Sequence, residues 1–422
     1  METTSARGRA LAAQKPTFLD VLGDLWDPHS NPNGIVNLGL AENTLMHAEM
    51  KEFCNANVQI DAHALTYGDG FSGSHRLKKA MSQFLNRYFS PWTALHPSDL
   101  AITSGVSNAL ECCAWALADA GDHILVGRPY SNAFKTIYGS RPGIELVEVS
   151  FGTTDPFSMA AIDEYERAYA AAKSKGLRIR AVLLCSPHNP LGRCYSEKVL
   201  KGYMRFCSRN GLHLISDEIY AMSVWKNPRM SDAPGFKSIL SMDVREFMDP
   251  SMVHVVWGLS KDFGSTGLRI GCLVSPSNRV FLEAVEGISL YNFPSSVGDQ
   301  LASRLLLDDI FTEQYISINQ HRLAESYQYA TEFLRSHNIP YLECNAAFFI
   351  WMNLGAVMDA TATDQEILAK LREDRVYIAP GTVYAGEEPG WFRLVFGHPP
   401  HVLEEGLSRM VRAIQSENHE RT

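Results

Sequence analysis

Two short apolar runs, residues 253–257 and 270–274, flank a turn rich in small residues, and this stretch constrains the fold most. The turn carries Lys261, and Arg269 stands just before the second run. A lysine held against apolar surface loses solvation as an ammonium, so its pKa falls and its amine can attack an aldehyde. An arginine offers a rigid fork that suits a phosphate. The stretch therefore predicts two strands that hold an amine and a guanidinium at the edge of a sheet.

An aldehyde and a phosphate occur together in one cofactor, pyridoxal 5'-phosphate (PLP). We therefore predict a PLP site, with Lys261 on the aldehyde and Arg269 on the phosphate. The alternative is a strand, a glycine turn and a strand whose two cations are simply solvated.

Three apolar runs are each followed by polar side chains. The runs cover residues 181–185, 212–215 and 253–257, and the polar residues after them are Asn189, Asp217, Tyr220 and Lys261. Ligands collect beyond the carboxyl ends of parallel strands, so these side chains are expected to be neighbours. Taken singly, Asn189 in its N-P-x-G segment is as typical of a structural turn as of a ligand site, and Asp217 is as typical of a cap.

A glycine turn follows a further apolar strand at residues 101–104. Gly105, Val106 and Ser107 open an apolar helix that continues to residue 117. The free N–H groups at a helix N-terminus form an anion site, although such turns also occur without a ligand.

The length of 422 residues suits one large domain with a smaller one, or two comparable domains. Helical or strand patterns fall at residues 159–173 and 197–209 (helices), 300–334 (a helical stretch), 347–352 (a strand), and 365–373 and 402–414 (helices). We assign residues 1–45 to an N-terminal arm that belongs to the small domain, 46–304 to the large cofactor-binding domain and 305–422 to the small C-terminal domain.

Charge and cysteine usage restrict the class of protein. A net charge of −9 argues against nucleic-acid binding through a general electrostatic field. No apolar run is long enough to cross a bilayer, and the apolar stretch near the N-terminus is too short for a signal peptide; a cleaved organelle presequence is the minor alternative. The eight cysteines include no C-x-x-C pair, which predicts reduced thiols in a cytoplasmic protein and no metal site.

Six segments resemble the motifs of one enzyme family, in the family's order. They are Gly39-Leu40-Ala41-Glu42-Asn43, G-x-S-x-A at residues 105–109, N-P-x-G at 189–192, D-x-x-Y at 217–220, S-K-x7-R at 260–269 and E-P-G-W-F-R at 388–393. The chain is identified as a member of the aminotransferase class I/II family of fold-type I PLP enzymes, and it is most similar to 1-aminocyclopropane-1-carboxylate (ACC) synthases. The resemblance implies an α/β fold with a mainly parallel, seven-stranded-type central sheet, helices on both faces and a smaller α+β domain.

The resemblance also implies how PLP is held. Lys261 bonds to the aldehyde and becomes the base at Cα after substrate displaces it, and Asp217 pairs with the pyridine nitrogen. Asn189 and Tyr220 hold the phenolic oxygen. The predicted catalytic residues are Lys261, Asp217 and Tyr220. The residues assigned to the phosphate are Gly105, Val106, Ser107, Ser260 and Arg269.

Two substrate contacts follow from the same resemblance. Glu42 is placed where a carboxylate meets a cationic substrate, and Arg393 is the expected fork for the α-carboxylate. Asn189 and Phe71 complete the predicted substrate set. From the residues alone, Glu42 is a cap or a solvated turn residue, and a structural ion pair is the alternative for Arg393.

The chain departs from the family pattern at three positions. Gly258 replaces a serine that contacts the phosphate. Phe71 replaces a tyrosine that crosses to the neighbouring subunit's phosphate, which leaves Tyr67 as the candidate for that contact. Ser131 replaces an aromatic residue that stacks on the cofactor, which leaves Tyr130 or another group to cover the ring. Because such loops complete the partner's pocket, the resemblance implies a homodimer with shared active sites.

Two reactions fit these residues. In the first, S-adenosylmethionine loses methylthioadenosine and gives ACC or a γ-substituted amino acid; in the second, the enzyme is an aminotransferase that passes an amino group to a 2-oxo acid. The segments at residues 39–43 and 388–393 favour the first. A PLP-binding regulator or an inactive relative would normally show an added DNA-binding segment or a lost lysine, and the sequence shows neither.

Overall fold

A seven-stranded sheet forms the centre of the computed structural model, which describes residues 3–13, 18–358 and 362–415. The strands are β1 (Val36–Asn37), β2 (Leu100–Ser104), β3 (His123–Gly127), β4 (Glu145–Val149), β5 (Ile179–Cys185), β6 (His213–Asp217), β7 (Val253–Gly258), β8 (Ile270–Val274), β9 (Phe349–Asn353), β10 (Val376–Tyr377), β11 (Ala379–Pro380) and β12 (Trp391–Val395). The central order is β2-β8-β7-β6-β5-β3-β4. β8 is antiparallel to both neighbours and the other pairs are parallel, so the predicted mainly parallel sheet is confirmed.

The apolar runs of the sequence are adjacent strands of this sheet. β7 and β8 are buried along their whole length, and β5 is buried from Ala181 onward. Strands covered on both faces read as continuous apolar runs instead of alternating ones. The register pairs Cys185 with Asp217, and Asp217 with Val256, so the ends of β5, β6 and β7 lie side by side.

Fourteen helices are present in the part of the chain that the structure describes. They are α1 (Ala6–Ala13), α2 (Leu19–Leu22), α3 (His47–Asn57), α4 (His75–Tyr88), α5 (Val106–Leu117), α6 (Ala133–Gly139), α7 (Ala161–Ser174), α8 (Glu197–Asn210), α9 (Leu259–Asp262), α10 (Arg279–Ser289), α11 (Ser296–Leu307), α12 (Asp309–Ser336), α13 (Asp364–Glu373) and α14 (Pro400–Gln415). Local signals set their ends: Ser196 caps the first turn of α8, and Gly211 ends that helix in the left-handed conformation with φ 63°.

The helical stretch predicted at residues 300–334 is two helices, α11 and α12. The break falls at Asp308, whose carboxylate accepts a hydrogen bond from the N–H of Phe311 at 3.0 Å. Aspartate at this position satisfies a free amide at the start of α12 and so favours a new helix over continuation of the old one.

The N-terminal segment packs with the last third of the chain. β1 pairs in parallel with β10, while β9, β12 and β11 form a separate antiparallel sheet. This pairing agrees with an arm that belongs to the C-terminal unit, and the domain boundaries at residues 45 and 304 stay predictions. Residues 1–2, 14–17, 359–361 and 416–422 of the predicted arm and C-terminal domain lie outside the described residues.

The described ranges contain neither a membrane-spanning helix nor a cluster of metal ligands. None of their helices has the length and apolar character needed to cross a membrane. None of their His, Cys, Asp and Glu side chains form a group of three or more that could hold a metal ion.

The fully buried carboxylate of Asp262, on α9, connects β7 to the turn that follows β6. It accepts hydrogen bonds from the indole N–H of Trp257 (2.8 Å), the N–H of Met222 (3.0 Å) and the hydroxyl of Ser223 (2.7 Å). Three donors therefore depend on one side chain, and this side chain fixes α9 against the turn that follows β6.

We expect Asp262→Ala to lower the free energy of unfolding by about 3 kcal/mol, because it leaves buried donors without an acceptor. Equilibrium urea unfolding measures the change. The exposed Asp163 on α7 is the matched control, and Asp163→Ala should change the same quantity by less than about 0.5 kcal/mol. Equal effects of the two substitutions would contradict the role given to Asp262.

Candidate active site

A cavity of about 470 Å³ opens where β5, β6 and β7 end, and the C-terminal third of the chain forms its other wall. Seven residues predicted from the sequence line it: Val106, Ser107, Asn189, Asp217, Tyr220, Lys261 and Arg393. The structure thus brings together side chains that are separated by up to 287 positions in the sequence (393 − 106).

Lys261 lies on α9, directly after β7, and its amine faces the N-terminal segment. Its Nζ donates a hydrogen bond to the carbonyl oxygen of Ala41 at 2.6 Å. Burial lowers the pKa of Lys261 to about 8; the positive charge of Arg393 acts in the same direction, whereas the negative charge of Glu42 opposes it. An amine with this pKa is a usable nucleophile and base near neutral pH.

Asp217 is the last residue of β6 and is almost completely buried. Burial raises the pKa of its carboxyl group to about 7, although the N–H of Ile219 at 3.2 Å and the charge of Lys261 act to lower it. A protonated ring nitrogen beside this carboxyl group would stabilise its ionised form. Tyr220 follows on the same turn, and its ring stands edge-on to Phe349 with 5.3 Å between centroids.

Arg393, on β12, is held on two sides but is not fully paired. Its Nη1 donates to Oδ1 of Asn189 at 3.0 Å and its Nη2 donates to the carbonyl oxygen of Gly39 at 2.6 Å. The guanidinium lies 5.0 Å from the ring centroid of Phe349 and 4.7 Å from that of Tyr384. Its Nε is buried without a partner, and no described Asp or Glu forms an ion pair with it. A carboxylate ligand would complete this fork.

Gly105 and Arg269 form a cradle in front of α5. Arg269 donates from Nη2 to the carbonyl oxygen of Ser104 at 3.1 Å, and a Cβ at Gly105 would lie 2.3 Å from that Nη2. Gly105 also has φ 75°, so only glycine suits the position. The first N–H groups of α5, at Val106 and Ser107, have no carbonyl earlier in the helix to bind.

These groups fit the three polar parts of PLP. The cradle provides a cation and helix N–H groups for a phosphate, Lys261 provides an amine for an aldehyde, and Asp217 provides a buried carboxyl group for the ring nitrogen.

The sequence model of the family "Aminotransferase class I and II" matches residues 33–410. The chain belongs to this family. Its cofactor is therefore PLP, and the chain is an enzyme of the PLP-dependent aminotransferase family.

Three curated relatives carry different descriptions. A probable aminotransferase, aclI, of Aspergillus oryzae is 34% identical, over 89% of this chain and 90% of the relative. ACC synthase-like protein 1 of Bos taurus is 31% identical, over 93% of this chain and 79% of the relative. ACC synthase 7 of Arabidopsis thaliana is 31% identical, over 91% of this chain and 88% of the relative.

Solved structures support the fold. The aromatic aminotransferase from Pyrococcus horikoshii OT3 superimposes with a TM-score of 0.76 at 22% identity, over 95% of this chain and 99% of that one.

Steric crowding explains why Gly258 stands in place of the serine of the family pattern. A Cβ at Gly258 would lie 2.5 Å from the carbonyl oxygen of Ile270 and 3.0 Å from Cα of Gly271. β7 and β8 therefore approach too closely at this point for any larger residue. Ser260, two positions on, is buried, and its carbonyl accepts a hydrogen bond from the hydroxyl of Thr266 at 3.1 Å.

The aromatic wall of the cavity differs from the expectation. Tyr130 is not among the lining residues; its hydroxyl donates to Glu148 at 2.7 Å. Phe134, four positions later, does line the cavity, and its ring lies nearly parallel to that of Tyr130 at a centroid distance of 6.4 Å. Phe134, together with Ser131, thus lines the cavity where Tyr130 was expected.

Two other lining tyrosines, Tyr377 and Tyr384, were missed in the sequence. No motif marks them. The ring of Tyr377 fits because Gly39 lacks a Cβ, which would lie 2.6 Å from it.

Seven predicted residues are not in the cavity lining: Gly105, Ser260, Arg269 and Tyr130, described above, and Glu42, Tyr67 and Phe71. The charge of Glu42 reaches Lys261, but Glu42 is not itself in the lining. Tyr67 is three-quarters exposed, and it clusters with Phe71 (5.9 Å) and Phe293 (6.4 Å) on another surface. The roles of Glu42, Tyr67 and Phe71 stay predictions.

The lowered pKa of Lys261 predicts how fast PLP attaches to the apoenzyme. With a pKa of about 8, about 10% of the amine is neutral at pH 7, against about 0.03% at the usual pKa. We expect the attachment rate to rise about tenfold from pH 6 to pH 7 and to level off above pH 8. Absorbance after rapid mixing measures the rate, and borohydride reduction with peptide mapping identifies the lysine.

Lys78 provides the control, since it is also a partly buried lysine whose pKa is lowered by burial. Lys78→Ala should leave the profile unchanged, while Lys261→Ala should abolish attachment. A rate that still rises tenfold per pH unit at pH 10, or reduction at another lysine, would contradict the assignment.

Proposed function

We propose that the enzyme acts on S-adenosylmethionine and releases methylthioadenosine, as ACC synthases do. The observation that supports this most is the placement of opposite charges around Lys261: Arg393 and Glu42 both act on its amine, with opposite sign. A substrate with an α-carboxylate at one end and a sulfonium at the other matches this arrangement. The product is ACC or, where another nucleophile attacks Cγ, a γ-substituted amino acid.

Arg393 and Lys261 serve substrate binding and proton transfer in the proposed reaction. Arg393 binds the α-carboxylate through its guanidinium, whose buried Nε has no hydrogen-bond partner. Lys261 takes the proton from Cα, since its pKa is close to neutral. PLP, when bound, supplies the electron sink for the charge at Cα. The Cγ–S bond breaks with its electron pair on sulfur, and for ACC a new bond joins Cα to Cγ.

The remaining site residues would hold the cofactor. Asp217 would pair with the ring nitrogen, Asn189 and Tyr220 would bind the phenolic oxygen, and the cradle at Gly105 and Arg269 would bind the phosphate. Asn189 also holds Arg393, so one amide links the cofactor and carboxylate sites.

The second candidate is an aminotransferase that moves an amino group to a 2-oxo acid. The probable aminotransferase of Aspergillus oryzae, with 34% identity, supports it. The same carboxylate fork and lysine serve both reactions, so the choice depends on the leaving group at Cγ. Accumulation of pyridoxamine phosphate with simple amino acids, and no methylthioadenosine from S-adenosylmethionine, would select the aminotransferase.

Glu42→Gln tests the first candidate. A charge-assisted contact contributes about 1.5–3 kcal/mol, so the substitution should lower kcat/KM for S-adenosylmethionine about ten- to a hundredfold. It should leave the slow reaction with alanine, which has no cation beyond Cβ, within about twofold. Methylthioadenosine measured by chromatography reports the first rate.

Glu283→Gln is the matched control, since Glu283 belongs to an exposed ion pair with Arg279 on α10. It should change neither rate. Equal losses for S-adenosylmethionine and alanine in Glu42→Gln would remove Glu42 as a contact to the sulfonium.

We also propose a homodimer in which the loop at residues 65–77 completes the partner's site. Tyr67, Phe71 and Phe293 form an apolar surface cluster on this loop and its neighbour, away from the cavity of their own chain. A second copy that covers the cluster would remove this apolar surface from water.

Hybrid dimers test this arrangement. Lys261→Ala subunits and Tyr67→Ala/Phe71→Ala subunits should each be inactive or nearly so. Unfolded together and refolded as a mixture, they should recover about a quarter of the wild-type activity, because half of the dimers then contain one intact site. Light scattering checks the dimer, and an active monomer or a mixture without recovery would contradict shared sites.

A cytoplasmic location is also proposed. All eight cysteines are free, and seven of them are buried. Free thiols in this number are typical of a reducing compartment.

A further inference from the structure

Opposite walls of the active-site cavity are joined by hydrogen bonds that the proposed reaction does not use. One wall includes Ser131 and Phe134, which follow β3. The other includes Tyr384, in the turn between β11 and β12. We call the contacts made by Arg128 and Glu387 between these walls the clasp.

Arg128 forms the first half of the clasp. Its Nε donates to the carbonyl oxygen of Ala385 at 2.6 Å, and its Nη2 donates to that of Gly386 at 3.0 Å. Oε2 of Glu148 lies 3.6 Å from the same Nε and forms an ion pair with the guanidinium. Hydrogen bonds from a charged, forked donor fix both distance and direction.

Glu387 forms the second half of the clasp. Arg128 donates hydrogen bonds to the turn, whereas Glu387, in the turn, accepts hydrogen bonds from the opposite wall. Its carboxylate accepts hydrogen bonds from the N–H of Phe151 (2.8 Å), the hydroxyl of Ser150 (2.8 Å) and the N–H of Gly152 (3.0 Å). Five side-chain hydrogen bonds, two from Arg128 and three to Glu387, therefore connect residues 385–387 to the wall that follows β3 and β4.

The clasped turn has an unusual backbone. Ala385 has φ 55° and ψ 36°, in the left-handed region that residues with a Cβ rarely adopt. Such a conformation persists only where surrounding contacts hold it, and it often occurs where a protein positions a ligand contact. Here the held turn places the ring of Tyr384 4.7 Å from the guanidinium of Arg393. The N–H of Tyr130, which donates to the carbonyl of Tyr384 at 2.9 Å, adds a main-chain bond at the same place.

We propose that Arg128 and Glu387 are positioning residues for the substrate's α-carboxylate. They act through Tyr384, which with Phe349 keeps the guanidinium of Arg393 in the orientation that a carboxylate needs. The inference rests on the carboxylate role given to Arg393 under the proposed function, and it holds for both candidate reactions. Ligands without a carboxylate do not use Arg393 and are insensitive to the clasp.

Two unreactive amines that differ by one carboxylate test this in the holoenzyme. 2-Methylalanine has an α-carboxylate but no Cα–H bond, and tert-butylamine is the same amine with a methyl group in place of the carboxylate. Binding is measured by the change in absorbance of the bound cofactor. Arg128→Met should weaken 2-methylalanine about ten- to a hundredfold and leave tert-butylamine within about twofold. Arg128→Lys, which keeps one charged donor, should restore part of the loss.

Arg167→Met is the matched control, since Arg167 belongs to an exposed ion pair with Glu164 on α7, and it should change neither affinity. With a reactive amino acid, Arg128→Met should raise KM by the same factor and change kcat by less than about threefold. Unchanged binding of 2-methylalanine, or an equal loss for both amines, would overturn the proposal. Where Arg128→Met does not fold, Glu387→Gln replaces it and should weaken only 2-methylalanine, about three- to tenfold.

Arg393→Met separates this inference from the proposed function. If Arg393→Met does not weaken 2-methylalanine, the carboxylate role of Arg393 is wrong, and the clasp proposal falls with it. If Arg393→Met weakens it and Arg128→Met does not, only the clasp proposal is wrong.

Discussion

The desolvation of one amine is the constraint on which the rest of this structure depends. Lys261 follows a strand whose every residue is buried, and burial alone is the largest cause of its lowered pKa. A lysine whose pKa falls to about 8 requires that the chain exclude water from its amine without giving it a hydrogen-bonded carboxylate partner. The carbonyl of Ala41 meets this requirement, since it accepts a hydrogen bond from the amine at 2.6 Å and carries no charge.

Buried polar groups fix the position of that amine and of the guanidinium on the opposite wall. Asp262, next to Lys261, collects donors from Trp257, Met222 and Ser223, and so sets α9 against the turn that carries Tyr220. On the other wall, Arg393 is held by Asn189, by the carbonyl of Gly39 and by two aromatic rings. Carboxylates and arginines of this kind are costly to bury, and they are retained where they hold a geometry that apolar packing cannot define.

The sequence predicted a large part of the site because strand ends are readable. Asp217 and Lys261 follow continuous apolar runs, parallel strands bring such ends to one edge, and the register of β5, β6 and β7 agrees with that expectation. Arg393 could be predicted from its motif, although its partners could not. Phe134, Tyr377 and Tyr384 carry no local signal, since an aromatic residue in a helix or a turn is usually a core residue. Tyr130 was placed by motif alone, whereas its hydroxyl turns towards Glu148 and its ring lies behind Phe134.

The sequence by itself determined the apolar strands that end at the site, the amine and the guanidinium beside them, and membership in the aminotransferase class I and II family. These follow from hydrophobic periodicity and from short motifs, which act over a few residues. The tertiary structure decided which residues of the N-terminal segment and of the last third of the chain close the cavity. It also decided that Gly258 cannot be larger and that Arg128 and Glu387 reach the turn at residues 385–387. The contacts of Arg128 and Glu387 join positions more than 200 residues apart in the sequence. All of these contacts depend on differences in distance of a few tenths of an ångström, which no local pattern encodes.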